Sequence, residues 1–498
     1  MSAPAIVWFR RDLRLSDLPT LLAAADHTDT ALAVFVLDDA LLTPSGAPRV
    51  AFLTGCLRAL DAALDGRLLL VAGDPVQQLP RLAAAVDAQA VHISADFGPY
   101  GSARDRAVEA ALAALPTPVP LIRTGSPYAV SPGRIHTKTG RPYQVFTPYR
   151  RAWLDHGWHT PARTGPDTLD WLDPATTRGL PEAAALPEPR EDAAALNSPG
   201  EDAAPLNSPG EDAAPLNSPG EDAAPLNSPG EDAARLRWHA FRHGPHSSLD
   251  RYADDRDRPD LDTTTRLSPY LKFGCIHPRT LLHDIRTRTD PGAVTLRSEL
   301  AWRDFYADVL HHRPDTARGN YNPKFDGLEY DAGPTADAAF DAWRTGRTGY
   351  PIVDAGMRQL LAQGWMHNRV RMIVASFLTK DLHLPWWRGA RHFMTCLVDG
   401  DLASNQHGWQ WTAGCGTDAA PYFRVFNPIT QGERFDPTGD YVRRWVPELR
   451  DIEGRAVHRP WKQPDTGLFD AGARRAYPAP IVDHALERQE ALDRYARL

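Results

Sequence analysis

The 498-residue chain contains no run of 18 consecutive apolar residues, so no segment reads as a membrane-spanning helix. Cysteine is scarce: Cys56, Cys275, Cys396 and Cys415 form no CxxC pair and lie near no histidine cluster. That usage reads as reduced thiols in a cytosolic protein and argues against a cysteine-held iron–sulfur cluster. The opening residues, "MSAPAIVWFRRDLRLSD", lack a charged start followed by an apolar stretch and a cleavage site. They read as mature cytoplasmic sequence, with a first strand expected near Ala5. No GxGxxG occurs, which leaves an ordinary dinucleotide site unsupported.

Positive charge is also short, with 55 Lys and Arg against 63 Asp and Glu, a net of −8. The deficit is local. Five Glu-Asp pairs fall in residues 191–232, and without them 53 acids face 55 bases. Residues 266–391 carry 18 bases against 13 acids. A phosphate-binding face is therefore permitted in the second half, although salt-laced helix surfaces give the same balance. The acidic stretch is four tandem decapeptides over 191–230, "EDAAALNSPG" once and "EDAAPLNSPG" three times. Rich in Pro, Gly, Asn and Ser, it reads as a disordered linker within a joining region of 131–235.

What is present falls into two patterns. Short apolar runs at 5–9, 31–37, 67–72 and 90–94 alternate with Ala- and Leu-rich helical stretches. This predicts an α/β domain over 1–130 with a parallel, Rossmann-like sheet, whose ligands sit beyond the carboxyl ends of the strands. From 236 to 498 apolar residues recur at three- and four-residue steps, predicting a large all-α domain. Ten of the 14 tryptophans lie there.

Within that helical half, "DGDLASNQHGWQW" (399–411) packs acids, an amide and two indoles together. A helix starting near Asp401 puts Asp401, Asn405 and Trp409 on one face, with Asp399 in the turn before it. Either aspartate could cap the helix. A metal site is disfavoured, because hard cations need more oxygens than two carboxylates supply. A carboxylate that accepts from ring N–H groups, an amide that both donates and accepts, and a stacking indole together suit a flavin.

"GWMHNRVRM" (364–372), "ELAWRDFY" (299–306), "TTTRLSPYLKFG" (263–274), "GTDAAPYFRVFNPITQGERFD" (416–436) and "VWFRRDLRLSD" together resemble the DNA photolyase/cryptochrome family, and best its bacterial class I cyclobutane pyrimidine dimer photolyases. The resemblance covers nearly the whole chain except 188–234. It implies light-driven repair of ultraviolet-damaged DNA, single- or double-stranded, by electron transfer from reduced FAD to a flipped-out dimer under blue light, by a cytoplasmic enzyme expected to be a monomer.

The same resemblance implies site residues. Tyr252, Thr264, Thr265, Leu267 and Ser268 match positions around the FAD phosphates and ribityl chain, where the start of a helix suits a pyrophosphate. Arg303, Asp401 and the pair Arg371–Asp399 match further flavin contacts, and Asn405 matches the residue beside flavin N5. Arg256, Glu299, Trp302, Asn368, Arg369, Met372 and Trp411 match the dimer-binding positions. The "HN" of "GWMHNRVRM", where (6-4) photolyases have "HH", points to cyclobutane dimers.

Trp409 and Trp387 match the inner and middle members of the family's tryptophan chain for flavin photoreduction. The outer member is missing from "EYDAGPTADAAFDAW", and Tyr330 is the nearest aromatic to take its place. "GDP" and "ADFGPYG" favour an 8-hydroxy-5-deazaflavin antenna over methenyltetrahydrofolate, with Asp96 and Arg49 as its candidate contacts. No metal is expected. The alternatives are a cryptochrome-like photoreceptor without repair, and a non-enzymatic flavin-storing or DNA-binding protein, which would need none of Glu299, Trp302, Asn368 and Met372.

Overall fold

The four apolar runs of the first half form β1 (Ala5–Phe9), β2 (Thr30–Leu37), β3 (Leu68–Ala72) and β4 (Ala90–Ile93), and two shorter strands, β5 (Leu121–Arg123) and β6 (Asp170–Trp171), join the same sheet. The computed structural model describes residues 3–188, 228–244, 248–419, 421, 424–462 and 477–498. Every residue of β1 is buried, so the strand reads as an unbroken apolar run rather than an alternation. All pairings are parallel, in the order β3-β2-β1-β4-β5, with β6 on the start of β2. Val7 lies opposite Ala33 on one side and His92 on the other. The chain order reverses between β1 and β4, which makes their carboxyl ends a switch point.

The contacts divide the chain into two units. The first holds the described residues within 3–188, 228–250 and 265–314, and the second holds those within 251–264 and 315–498. The sequence boundaries at 130 and 235 therefore shift. Residues 265–314, expected with the helical domain, pack with the sheet. Buried polar groups explain this. Arg279 Nε donates to Asp17 at 3.0 Å, Arg14 Nη1 donates to the Gly274 carbonyl at 3.0 Å, and Trp153 Nε1 donates to Asp304 Oδ2 at 3.0 Å. None of these groups could be buried without its partner.

The joining region also needs correcting. Residues 146–156 form the helix Phe146–His156, anchored by the fully buried Tyr149 and Trp153, and β6 lies in the same region. Residues 191–227 of the decapeptide tract lie outside the described residues.

In the second unit, Pro351 opens the helix Pro351–Gln363 and the left-handed Gly364 closes it. Ile352, Val353 and Leu360 from this helix join Trp343, Phe377 and Trp386 in the core. As expected, the architecture is an α/β part with a parallel sheet and a helical part.

Candidate functional site

The helix Leu402–Ala413 starts where the Asp401 carboxylate accepts from the Ser404 N–H at 3.1 Å, and stops at Gly414 with φ 91°. The capping reading of the sequence is met by Asp401. Four residues on, Asn405 is buried, and its Nδ2 donates to the Ala390 carbonyl at 3.0 Å and to Gln406 Oε1 at 2.8 Å. Gln406 Nε2 donates in turn to the Ala317 carbonyl at 2.6 Å. Carbonyls only accept, so neither amide can turn over without losing its partners. The Asn405 orientation is therefore fixed, with both Nδ2 protons used inside the protein and Oδ1 left as an acceptor. Gln406 went unrecognised in the sequence. Only its place beside Asn405 hinted at the role.

Asp399 is buried. Its Oδ2 accepts from Arg371 Nη2 at 2.8 Å, while Oδ1 is buried and meets no donor among the described residues. Arg371, on the helix Asn368–Ser376, is itself held by Nε donating to the Met366 carbonyl at 2.8 Å. A buried carboxylate oxygen with no donor is costly, and a ligand N–H is the group that would satisfy it. The acid, the amide and the fixed acceptor fit the edge of a flavin ring.

The same unit carries the proposed electron path. Trp409 is buried against Phe393 and Trp343, with ring centroids 5.0 and 6.0 Å away. A Cβ at Gly389 would sit 2.1 Å from the Trp409 ring, so only glycine admits the indole there. Tyr330 meets Trp387 edge-on at 5.3 Å, and Trp387 lies 5.9 Å from Trp386. Among the described residues the ring neighbours of Trp409 do not include Trp387. Trp386 is three residues from Gly389 on the helix Trp386–Cys396 and therefore on the same face. Its Nε1 donates to Asn320 Oδ1 at 2.9 Å. Trp386 is a further candidate that the adjacent "WW" pair concealed.

Two candidate phosphate contacts converge on one acid. Asp257 accepts from Arg369 Nη2 at 2.7 Å and lies 3.9 Å from Arg256 Nε. Arg369 also lies over the Phe435 ring at 4.5 Å. Asn368 is exposed in the first turn of its helix, where His367 Nδ1 accepts from the Arg369 N–H at 3.2 Å. Met372 and Trp411 are half-buried, Tyr252 is buried in the helix Ser248–Asp255, and Thr264 is half-buried.

The first unit holds the remaining candidates. The helix Pro291–His312, capped by Asp290, carries Glu299, Trp302 and Arg303. Trp302 stacks face to face on Phe146 at 3.6 Å and stays half-buried. The Arg303 guanidinium donates to the Pro127 and Leu271 carbonyls at 2.8 and 3.1 Å, which gives it a framework role in this unit. In the loop before the helix Ser268–Phe273, Thr265 Oγ1 accepts from the Leu267 N–H at 3.3 Å, and Arg266 takes the left-handed φ of 48°. Ser268 is exposed.

The strand-end switch point is filled by its own polar network. Arg10 Nη1 pairs with Asp105 at 2.7 Å, and Arg104 pairs with Asp105 at 2.9 Å and Asp96 at 3.4 Å. Burial works to raise the Asp96 pKa, but the Arg11, Arg104 and Arg10 guanidinium groups outweigh it and hold the carboxyl below its ordinary value. Arg49 is buried in the helix Ala47–Ala63 and has partners of its own. Neither antenna candidate presents an unmet group.

Residues 5–167 match the family model described as DNA photolyase, and 295–497 match the FAD binding domain of DNA photolyase. Relatives named deoxyribodipyrimidine photo-lyase include one from Streptomyces griseus, 40% identical over 98% of this chain and 99% of its own, and one from Escherichia coli strain K12, 36% identical over 98% of each. Among solved structures, a class III photolyase from Agrobacterium tumefaciens has a TM-score of 0.82 at 36% identity, covering 100% of this chain and 98% of its own. A cryptochrome of Synechocystis sp. PCC6803 also gives a TM-score of 0.82, at 25% identity and 99% coverage of both chains. An archaeal photolyase from Sulfolobus tokodaii, described as carrying two FAD molecules, gives 0.77 at 27% identity, covering 99% of this chain and 100% of its own. Among the described residues no helix is long and apolar enough to cross a membrane.

Proposed function

The chain belongs to the DNA photolyase family, and from that membership we propose that it repairs cyclobutane pyrimidine dimers in DNA by light-driven electron transfer from reduced FAD. It is an enzyme of the carbon–carbon lyase kind. Reduced FAD, when bound, supplies the photo-excited electron that opens the cyclobutane ring and takes it back, so no net redox change results.

The observation that carries the site reading is the buried Asp399 Oδ1 without a donor beside an oxygen already held by Arg371. This oxygen would accept a ring imide N–H of the flavin, and Arg371 holds the carboxylate in place through its other oxygen. Asn405 Oδ1, its amide locked by Ala390 and Gln406, presents an acceptor. It therefore favours a flavin that carries a proton at N5, which the reduced ring does. Asp401 is a further flavin contact besides its capping role. Around the phosphates and ribityl chain the family resemblance assigns Tyr252, Thr264, Thr265, Leu267 and Ser268.

For the substrate, Glu299 hydrogen-bonds a pyrimidine carbonyl and steadies the charge that develops on the dimer. Trp302 and Trp411 are the apolar side chains that the family resemblance assigns to its rings. Asn368 and Met372 select the cyclobutane lesion, while Arg256 and Arg369 hold neighbouring phosphates with little sequence preference. Photoreduction of resting flavin runs through Trp409, Trp386, Trp387 and Tyr330. Class I membership, a cytoplasmic location and a monomeric state belong to the same proposal. So does a deazaflavin-type antenna, but the self-satisfied network at Asp96 gives it no direct support, and no step is routed through it.

The test is a repair assay with the reduced holoprotein and an oligonucleotide bearing one thymine dimer, in blue light and in the dark. Light-dependent recovery of intact thymines is expected. Tight FAD with no repair in light would overturn the proposal in favour of a photoreceptor.

A further inference from the structure

On the second unit, the helices Trp386–Cys396 and Leu402–Ala413 and the segment 317–330 line a cleft of about 720 Å³. Trp387, Tyr330 and Phe325 form aromatic wall, and Arg318 and Arg391 bring two positive charges. The acid among the lining residues is Asp326, whose Oδ1 already accepts from Asn320 Nδ2 at 2.8 Å. Neither the Arg318 nor the Arg391 guanidinium has an ion pair or hydrogen bond among the described residues. One helical turn before Arg391, by contrast, Arg388 is paired with Asp337 at 2.9 Å and lies over Phe340. A concave site with aromatic walls and two uncommitted guanidinium groups takes a small planar anion.

The position of the cleft gives that anion a task. Tyr330 and Trp387, which touch at 5.3 Å, both line it. We propose that the cleft binds a small, ring-bearing anionic one-electron donor of the ene-diol or phenol class, which refills Tyr330 after flavin photoreduction. The proposal rests on the reading of Tyr330 as the exit of the electron path. Tyr330 gives one electron to Trp387 and its phenolic proton to solvent. The bound donor returns one electron and one proton to the phenolic oxygen, re-forms the O–H bond and leaves as its own radical. Burial, with Cys415 and Asp326 adding to it, pushes the Tyr330 phenol above its ordinary range. The side chain therefore stays protonated until it is oxidised, and its electron and proton losses are linked.

The experiment uses FAD-loaded full-length protein and ascorbate as the probe. Binding is measured in the dark by saturation-transfer NMR. The initial rate of flavin photoreduction is measured against ascorbate concentration, with uncharged dithiothreitol as a parallel donor. Expected are dark binding, a rate that saturates with ascorbate, and about tenfold weaker binding in Arg318→Ala/Arg391→Ala with unchanged dithiothreitol-driven photoreduction. That unchanged rate also shows that the variant is folded. No dark binding, or equal binding in the double variant, overturns the site. Tyr330→Phe separates the two readings. Retained dark binding with loss of the saturable rate supports both, whereas an unchanged saturable rate overturns the refilling role and the Tyr330 exit and leaves the anion site standing.

Discussion

At the scale of single residues, Asn405 shows how much a neighbour decides. Its type suits a flavin edge, but its hydrogen bonds to Ala390 and Gln406 decide which atom it offers. In Asn405→Asp a carboxylate loses both donated hydrogen bonds and faces two acceptors, the Ala390 carbonyl and Gln406 Oε1, at a cost of about 1–3 kcal/mol. We expect flavin that reoxidises faster in air after photoreduction, followed by its visible absorbance, with FAD still bound. An unchanged reoxidation rate would remove Asn405 from the N5 position.

Asp257 makes a second residue-scale case. It ties up Arg369 and neighbours Arg256, both assigned to DNA phosphates. Asp257→Asn keeps the side-chain shape and frees the positive charge. Binding to undamaged duplex should tighten, and the slope of log K against log salt should steepen by about 0.9. Fluorescence anisotropy titrations across salt concentrations measure both, and weaker binding would show that Asp257 serves only to position the arginines. The sequence pointed to both arginines and hid the acid between them, although it stands next to Arg256 in the chain.

Among the elements, the helix Ser268–Phe273 depends on one glycine. Gly274 closes it at φ 70°, and a Cβ there would lie 2.0 Å from the Arg11 carbonyl oxygen. The loop after β1 docks at the same point, with the Leu13 N–H donating to the Phe273 carbonyl at 3.1 Å. Gly274→Ala should therefore cost at least about 1–2 kcal/mol from backbone conformation alone, before the clash is counted. A fall in the chemical unfolding midpoint tests this, and an unchanged midpoint would mean that the loop and helix end move apart freely.

Elements also mark where sequence reading reached its limit. Long periodic helices and fully apolar strands were legible because burial imposes its pattern over many residues. β6 was not, because two residues carry no period, and it forms only because β2 offers an edge to pair with.

For the whole molecule, buried titrating groups set the response to acid. Burial pushes the carboxyls of Asp304, Asp381 and Asp436 up to about 6. Burial also lowers His92, His392 and His407 to about 4. The raised carboxyls bind more protons folded than unfolded between their ordinary value and about 6, so they add stability as pH falls through that window. The lowered histidines bind fewer protons folded than unfolded between about 4 and their ordinary 6.5, so they remove stability over nearly the same window. The two sets oppose one another. Compared with the unchanged protein, Asp304→Asn should lose more thermal stability on going from about pH 6.5 to 4.5, and His407→Gln less, each with a limiting slope of about 1.4 kcal/mol per pH unit. Melting temperatures over this range read both, and matching pH profiles would contradict the assignment.

The sequence by itself determined the parallel sheet, the helical second half, the family and the residue types of the candidate site. Each is carried by local periodicity or by motifs whose spacing is fixed along the chain. Tertiary structure decided which polar atoms remain unmet, because that depends on partners far apart in sequence. Asp399 Oδ1 is left over once Arg371 has taken its twin, and Asn405 is oriented by Ala390, fifteen residues away. It also decided that 265–314 packs with the sheet, where the buried Asp17 carboxylate takes both the Arg279 guanidinium and the Thr280 hydroxyl as donors.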